Sequence, residues 1–280
     1  MQKRALAVHD ISCVGRCSLT IALPVLSAAG VNTAVIPTAL LSTHTGEFTG
    51  YTHLDLSDQL KPITDHLSTL GQHYDAFYSG YLASGAQVEQ ILYMLDRLAD
   101  DKTHIFVDPA FADHGKRYSL IDEDMPAQMR RLISRADTIV PNVTEAAFLL
   151  DEAWQGENLT LKTVEEHARR LIALGPENVV ITDVTLPDRP GETGVCVLCN
   201  GMEKPEFIFG RRYEGLFHGT GDVFASFMLA ALMKDKAPLE AAKLALDFTH
   251  EAIALTLEGC EPLRYGLQFE RVLPRLLSLS

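Results

Sequence analysis

The chain has 280 residues, of which 47% are hydrophobic and 22% are charged, and its formal net charge at pH 7 is −13. This composition predicts a globular protein with a full core, and the negative charge disfavours nucleic acid and anionic membranes as partners. There is no apolar run of the length that a membrane span or signal peptide needs, and the five cysteines are an odd number. We therefore expect a soluble, cytoplasmic protein with reduced thiols.

Short apolar runs alternate with helix-like segments along most of the chain. Strands are predicted at residues 4–10, 33–37, 75–80, 104–109, 137–142 and 178–183. Helices are predicted at residues 18–29, 57–70, 85–99, 125–135, 143–151 and 163–174. Apolar strands that are separated by helices indicate a mostly parallel sheet with helices on both faces, which is an α/β fold of three layers.

The pattern changes towards the C-terminal end. Two β-type runs, "TGVCVLCN" and "EFIFGRRY", predict an antiparallel hairpin at one edge of the sheet. Cys196 and Cys199 are three residues apart on the first run, so they should face opposite sides and form no metal pair. A helix from about residue 222 to 233 is apolar on nearly all sides and should be buried. A last helix, 238–258, carries an apolar stripe of Leu239, Ala242, Leu246, Thr249, Ile253 and Leu257.

Residues 38–55 interrupt the alternation with a polar segment that contains glycines. A segment of this length and composition is typical of a flap over a binding site. No linker, repeat or low-complexity tract divides the chain, so one domain over residues 1–280 is the simplest prediction.

Polar residues follow the predicted strands at the points where ligands bind in open parallel sheets. They are Asp10, Ser12, Thr43, His44, Thr45, Ser79, Tyr81, Asp108, Asp113, Asn142, Glu145, Thr182 and Asp183. Any one of them could be a helix N-cap or a turn residue. Together they place at least four carboxylates on one rim, which favours divalent cations that bridge phosphates.

The stretch "HGTGDVF", residues 218–224, places two glycines at the start of the buried helix. Glycines let the backbone approach a ligand closely, and the free amides of a helix start attract anions. Asp222 could then accept the proton of a substrate alcohol while the amides stabilise charge on a phosphoryl group. The alternative is an ordinary glycine turn with an acid favoured by the helix dipole. The dinucleotide-binding, P-loop and hydrolase-elbow motifs are missing.

Four ordered motifs resemble the pyridoxal kinase branch of the ribokinase-like superfamily, over essentially the whole chain. They are "LLSTHTGEFTGY", "VDPAFADHGKRY", "VPNVTEAAFLL" and "FHGTGDVFAS". The resemblance implies a ribokinase-like fold, ATP as phosphate donor, Mg²⁺, a monovalent cation such as K⁺ in some members, and a homodimer. One departure is Ala112, which replaces a glycine of the second motif.

Site roles also come from the resemblance. It implies that Asp222 is the base for the 5′-hydroxymethyl group of a B6 vitamer, beside an anion hole of Gly219, Thr220 and Gly221. The ATP phosphates and cations are assigned to Asp108, Asp113, Asn142, Glu145, Thr182 and Asp183, with the metal on Asp108, Asp113 and Glu145. The pyridine ring is assigned to Asp10, Ser12, His44, Thr45 and Tyr81.

Several alternatives stay open at this point. Hydroxymethylpyrimidine kinases are similar too but commonly carry Cys at the position of Asp222, and a sugar is another conceivable acceptor. A sensor that binds a vitamin or nucleotide without turnover is a further alternative. His44 could instead be a flap residue whose hydrogen bonds are satisfied, and His218 is predicted to serve packing.

Overall fold

A computed structural model describes residues 2–119 and 121–277 of the chain. The strands are β1 (Arg4–Val14), β2 (Asn32–Thr43), β3 (His53–Asp55), β4 (Ala76–Ser79), β5 (His104–Val107), β6 (Ala112–Asp113), β7 (Lys116–Arg117), β8 (Thr138–Ile139), β9 (Asn178–Val184), β10 (Glu192–Cys199) and β11 (Glu206–Arg211). The α-helices are α1 (Leu19–Ala28), α2 (Ser57–Ser68), α3 (Gly85–Leu98), α4 (Met125–Ile133), α5 (Val143–Leu149), α6 (Leu161–Ile172), α7 (Thr220–Leu232), α8 (Pro238–Glu258) and α9 (Leu273–Leu276).

Nine strands form one sheet in the order β11-β10-β9-β8-β5-β4-β1-β2-β3, and β6 pairs separately with β7. The six inner strands from β9 to β2 run parallel, whereas β3, β10 and β11 add antiparallel pairs at the edges. The mostly parallel α/β fold with an edge hairpin is thus confirmed. The chain leaves β1 towards β2 and later returns to β4 on the other side. A ligand cleft is therefore expected beyond the carboxyl ends of β1 and β4, where the strand order reverses.

Each face of the sheet has its own apolar core. Helices α1, α7 and α8 contribute to one core cluster, and α2 to α6 contribute to the other. Every residue of α7 from Val223 to Ala231 is buried, as the sequence predicted. Cys196 lies in one cluster and Cys199 packs against the other, which confirms that they face opposite sides.

The apolar stripe predicted for α8 is wrong at both ends. Leu239 and Leu257 are 38% and 45% exposed, whereas Ala245, Phe248 and Ala252 are buried. The reason is that α8 packs on α7 and also on β10 and β11, so its buried face is broad and centred beside the predicted stripe. None of the described helices is long and apolar enough to cross a membrane.

The ends of the predicted flap belong to the sheet. Strand β2 continues to Thr43, and β3 pairs with it in antiparallel register, with Ala39 opposite Asp55 and Leu41 opposite His53. Only residues 44–52 lie outside regular structure, and we call them the flap from here on. Structure also continues after α8, where two short 3₁₀ turns and α9 place Leu267, Phe269 and Val272 in the core. These turns are too short to produce a periodic sequence pattern.

Candidate active site

The amino-terminal end of α7 presents free backbone amides. Gly219 is its N-cap, with a left-handed φ of 77°, and its carbonyl accepts the first helical hydrogen bond from Val223 at 2.9 Å. The amides that precede Val223 have no partner within the helix. A Cβ on Gly219 would lie 2.4 Å from the Arg16 carbonyl oxygen, so this glycine shapes the turn. Gly221 is different, because an added Cβ there would meet nothing within 4 Å.

Asp222 is the third residue of α7 and is largely enclosed. Burial raises the pKa of its carboxyl to about 7. A hydrogen bond from the backbone of Ser18 opposes this rise, and the charge of Asp10 adds to it. A carboxylate whose pKa lies near neutrality is well suited to accept a proton in catalysis.

A second carboxyl group, that of Asp10, lies close to Asp222. Asp10 is 6% exposed and accepts a hydrogen bond of 2.6 Å from the Ser18 hydroxyl. Burial raises the pKa of Tyr81 to about 12, and the nearby Asp10 and Tyr51 add to the shift. Tyr51 belongs to the flap, and it is a neighbour that the sequence analysis missed. Aromatic rings beside a carboxyl group form a suitable wall for a polar, planar ligand.

Two of the predicted ring contacts find no such support. Ser12 is completely buried in this conformation, and its contact with a substrate stays a prediction. Thr45 lies exposed on the flap. Its contact with a substrate stays a prediction.

Glu145 and Asn142 hold the loop that follows β5 in place through hydrogen bonds to its backbone. Asn142 is the N-cap of α5 in a capping box with Glu145. The Glu145 carboxylate also accepts hydrogen bonds from the amides of Phe111 and Ala112 at 2.8 and 3.2 Å, and the Asn142 side-chain amide donates to the Ala112 carbonyl at 2.7 Å. Ala112 therefore fits where the family motif has glycine. Glu145 serves this loop directly, and its place among metal ligands stays a prediction.

Asp108 lies between this network and α7. It is 6% exposed, and burial raises its pKa well above the usual range, with Glu145 and Asp222 adding to the shift. Four carboxylates lie near the hydroxyl of Tyr118, those of Glu145, Asp113, Asp108 and Asp222. Loss of hydration raises the pKa of this hydroxyl, and the four negative charges raise it further. The acidic rim predicted from the sequence is thus brought together.

A smaller cluster lies at the outer end of this rim. Ligand atoms of Asp113, His114 and Asp183 all lie within 4.8 Å of one another, and His114 is a member that the sequence analysis missed. Desolvation and the charge of Asp113 raise the pKa of Asp183 to about 6. Thr182 lies beside this cluster and forms a parallel bridge with Asn142. The predicted phosphate residues therefore share one end of the sheet.

The flap is attached to the C-terminal half of the chain by two histidines. Nε2 of His44 is hydrogen-bonded to the Arg264 carbonyl at 2.7 Å, and Nδ1 accepts a hydrogen bond from the Gly46 amide. Both ring nitrogens therefore have partners. This matches the alternative role foreseen for His44, a flap residue with satisfied hydrogen bonds. His218 pairs with Glu47 at 2.8 Å, so the prediction that it serves packing alone is wrong.

A methyl group at Gly46 tests this attachment. An added Cβ would lie 2.4 Å from the His218 ring, so the ring must leave Glu47. We expect Gly46→Ala to raise the KM of the small-molecule substrate about tenfold, the equivalent of one hydrogen bond to a charged group. The control is Thr49→Ala, a change at an exposed position of the same flap. Equal KM values in the two variants would contradict the role of the His218 contact.

The raised pKa of Asp222 also predicts how stability depends on pH. A folded pKa of about 7, above the usual carboxyl value of 3.8, means that folding favours the protonated carboxyl. That contribution is complete below the unfolded pKa and is lost as pH rises through 7. Asp222→Asn should therefore stabilise the unliganded protein by about 2 kcal/mol at pH 8 and much less at pH 4. Thermal unfolding at both pH values measures this, and an equal effect at both would refute it.

Comparisons with known proteins point to a kinase family. The model of the phosphomethylpyrimidine kinase family matches residues 22–264. A Bacteroides thetaiotaomicron protein, described as a phosphomethylpyrimidine kinase and crystallised in a form with pyridoxal, superimposes with a TM-score of 0.93. It is 34% identical, with 99% of this chain and 96% of that one covered.

Two pyridoxal kinases are also similar to the chain. The enzyme of Lactobacillus plantarum has a TM-score of 0.91 and 31% identity, with 100% of this chain and 98% of that chain covered. Pyridoxal kinase PdxY of Pseudomonas putida is 25% identical over 97% of this chain and 93% of its own length.

Proposed function

The chain belongs to the phosphomethylpyrimidine kinase family, and we propose that it transfers the γ-phosphoryl group of ATP to the 5′-hydroxymethyl group of a vitamin B6 vitamer. The observation that carries this proposal is the carboxyl group of Asp222, whose pKa of about 7 suits a base beside the free amides of α7. The similarity to a protein crystallised with pyridoxal and to a pyridoxal kinase, each more than 30% identical, supports the choice of substrate.

In the proposed reaction, Asp222 accepts the hydroxyl proton of the substrate. The alcohol oxygen attacks the γ-phosphorus, the bond from that phosphorus to the oxygen bridging to the β-phosphate breaks, and ADP leaves with the bonding electrons. The amides of Gly219, Thr220 and Gly221 face the charge on the transferred group. Such preorganised donors are most effective where water is excluded.

The rim offers the donors that Mg²⁺ prefers, which are carboxylate oxygens. In our proposal Asp108 and Asp113 hold the ion, with Glu145 as the third predicted ligand, and the converging oxygens of Asp113 and Asp183 fit such a group. When bound, Mg²⁺ neutralises part of the phosphate charge. Asn142, Thr182 and Asp183 are proposed to contact the ATP phosphates.

The proposed ring pocket lies between Asp10 and the two tyrosines. Tyr81 lies near both Asp10 and Tyr51, so the two tyrosine rings are suited to cover a pyridine from one side. A pyrimidine has the same shape, and the family takes its name from a pyrimidine kinase. Hydroxymethylpyrimidine or its phosphate is therefore the second candidate acceptor.

An assay of acceptors tests the proposal. The full chain is incubated with ATP, Mg²⁺ and pyridoxal, pyridoxine, pyridoxamine, hydroxymethylpyrimidine, its phosphate or ribose, and the phosphorylated product is measured. We expect the highest kcat/KM with a B6 vitamer. A preference for the pyrimidine or the sugar would replace the proposed substrate, and no product with any alcohol would favour the sensor alternative.

Three further properties remain predictions. A homodimer and the use of a monovalent cation such as K⁺ are implied by the resemblance, and a cytoplasmic location is expected from the sequence. Sedimentation of the purified chain and assays with K⁺ replaced by Na⁺ address the first two.

A further inference from the structure

Ser18 has an unusual backbone for a residue that is not glycine. Its φ of 49° and ψ of −127° lie in a region that L-residues rarely adopt. A backbone of this kind costs free energy and persists only where the surroundings impose it. Ser18 is also 5% exposed and lies in the turn that joins β1 to α1.

The Ser18 side chain does not cap its helix in the way that an N-cap serine usually does. Serine at an N-cap ordinarily accepts a hydrogen bond from the first turn of its helix. Ser18 is the N-cap of α1, yet its side chain makes no capping bond and donates instead to Oδ1 of Asp10 at 2.6 Å. Its carbonyl still starts the helix, since it accepts from Ile21 and Ala22 at 3.0 and 2.9 Å.

The backbone amide of Ser18 has a different partner, the carboxyl group of Asp222. One residue therefore donates to two acidic side chains that are 212 positions apart in sequence. In the unusual backbone conformation the amide serves Asp222 while the hydroxyl serves Asp10. This provides a physical reason for the strain.

The neighbours of Ser18 keep the turn in place. The Arg16 amide donates to the Tyr265 carbonyl at 2.9 Å, and the Arg16 side chain pairs with Glu261 and Glu270 at 2.9 and 2.7 Å. The Thr20 hydroxyl donates to the Cys17 carbonyl at 2.7 Å. The turn is thus fixed from both sides, as a strained conformation requires.

We propose that Ser18 is a positioning residue that fixes Asp10 and Asp222 relative to each other, through its hydroxyl and its backbone amide respectively. This inference rests on the proposed function, in which Asp222 is the base and Asp10 faces the substrate ring. The hydroxyl stabilises the charged form of Asp10, and that charge in turn favours the proton-accepting character of Asp222.

Several other titratable groups lie near the carboxyl groups of Asp10 and Asp222. Cys17 lies near both, and burial keeps its thiol protonated. His53 and Tyr81 lie near Asp10, and Tyr78 and Asp108 lie near Asp222. Tyr118 also lies near Asp222. Of these groups the Cys17 thiol also interacts with the Ser18 side chain, and burial keeps it protonated with or without that contact.

Ser18→Gly is the decisive variant. Glycine keeps the amide and tolerates the φ of 49°, so the fold should be retained while the hydroxyl bond to Asp10 is lost. Ser18→Ala loses the same hydrogen bond but keeps the backbone strain. Ser27→Ala is the matched control on the exposed side of α1. We expect both Ser18 variants to lower kcat/KM for the alcohol about thirtyfold, with the KM for ATP unchanged within about twofold.

Carboxyl ¹³C NMR titration of the full chain, with Asp10→Asn and Asp222→Asn for assignment, provides the second measurement. In Ser18→Gly, Asp10 should titrate at higher pH than in the wild type, because its charged form loses a donor. Asp222 should titrate at lower pH, because Asp10 is then neutral over a wider range. Titrations that match the wild type would overturn the proposal, even if activity fell.

The two measurements separate this proposal from the proposed function. A wild-type chain that phosphorylates none of the alcohols would refute the function, and the titrations would still decide whether Ser18 links the two carboxyls. A Ser18→Gly enzyme with wild-type kcat/KM on an active background would overturn the positioning role alone.

Discussion

Asp222→Asn is expected to lower kcat for phosphorylation of the alcohol by about 10³-fold. The amide side chain has nearly the same size as the carboxyl group but cannot accept the hydroxyl proton. The amides of α7 remain in place, so the KM for ATP should change by less than about threefold. Steady-state kinetics of purified protein measure both parameters.

The pH profile of the wild type checks the same assignment. The pKa of Asp222 is raised to about 7, because burial disfavours its charge. The base is protonated below that value, so kcat/KM should fall as pH drops below 7. Asp247→Asn, an exposed change on α8, should leave the rate and the profile unaltered. Near-normal turnover in Asp222→Asn would refute the role of Asp222 as the base.

Stability and activity are expected to oppose each other at Asp222. The enclosed carboxyl destabilises the folded chain at high pH, while the same enclosure raises its pKa into the useful range. Asparagine at this position should yield a more stable and nearly inactive protein. A substitution that raises stability and abolishes turnover is hard to explain by a purely structural residue.

Much of the fold could be predicted because its strands are short, apolar and separated by helices. The start of β1 and the buried helix α7 follow directly from these runs. The register in which neighbouring strands pair leaves no pattern in the local sequence. The pairing of His53 with Leu41 depends on a strand of only three residues, which is why the flap appeared longer in sequence than it is. The broad buried face of α8 depends on two neighbours at once, which periodicity cannot show.

The residues of the candidate site could be proposed from the sequence, but the contacts between them could not. Asp222 and Asp108 could be identified because glycines or a strand end precede them. Glu145 was assigned to a metal, and its bonds to the amides of Phe111 and Ala112 appear only in three dimensions. Ser18 carries no signal of its own, since its two acidic partners lie 8 and 204 residues away.

The second large effect is expected for Gly221→Ala. The added methyl group meets no protein atom within 4 Å and lies at the amides proposed to receive the phosphoryl group. We expect kcat to fall by about 10²-fold, as when a donor to a transition-state oxygen is lost. The free energy of unfolding should stay the same or rise by up to about 1 kcal/mol, since alanine favours a helix more than glycine does. Kinetics and thermal unfolding of one preparation measure both.

Gly219→Ala is the matched comparison two residues earlier in the chain. There the φ of 77° and the Arg16 carbonyl, 2.4 Å from an added Cβ, both oppose a side chain. This variant should lose about 2–3 kcal/mol of stability together with its activity. The anion hole predicts opposite behaviour of the two glycines, with one variant stable but inactive and the other unstable. An active Gly221→Ala enzyme would mean that the phosphoryl group does not approach the start of α7. That result would refute the proposed mechanism.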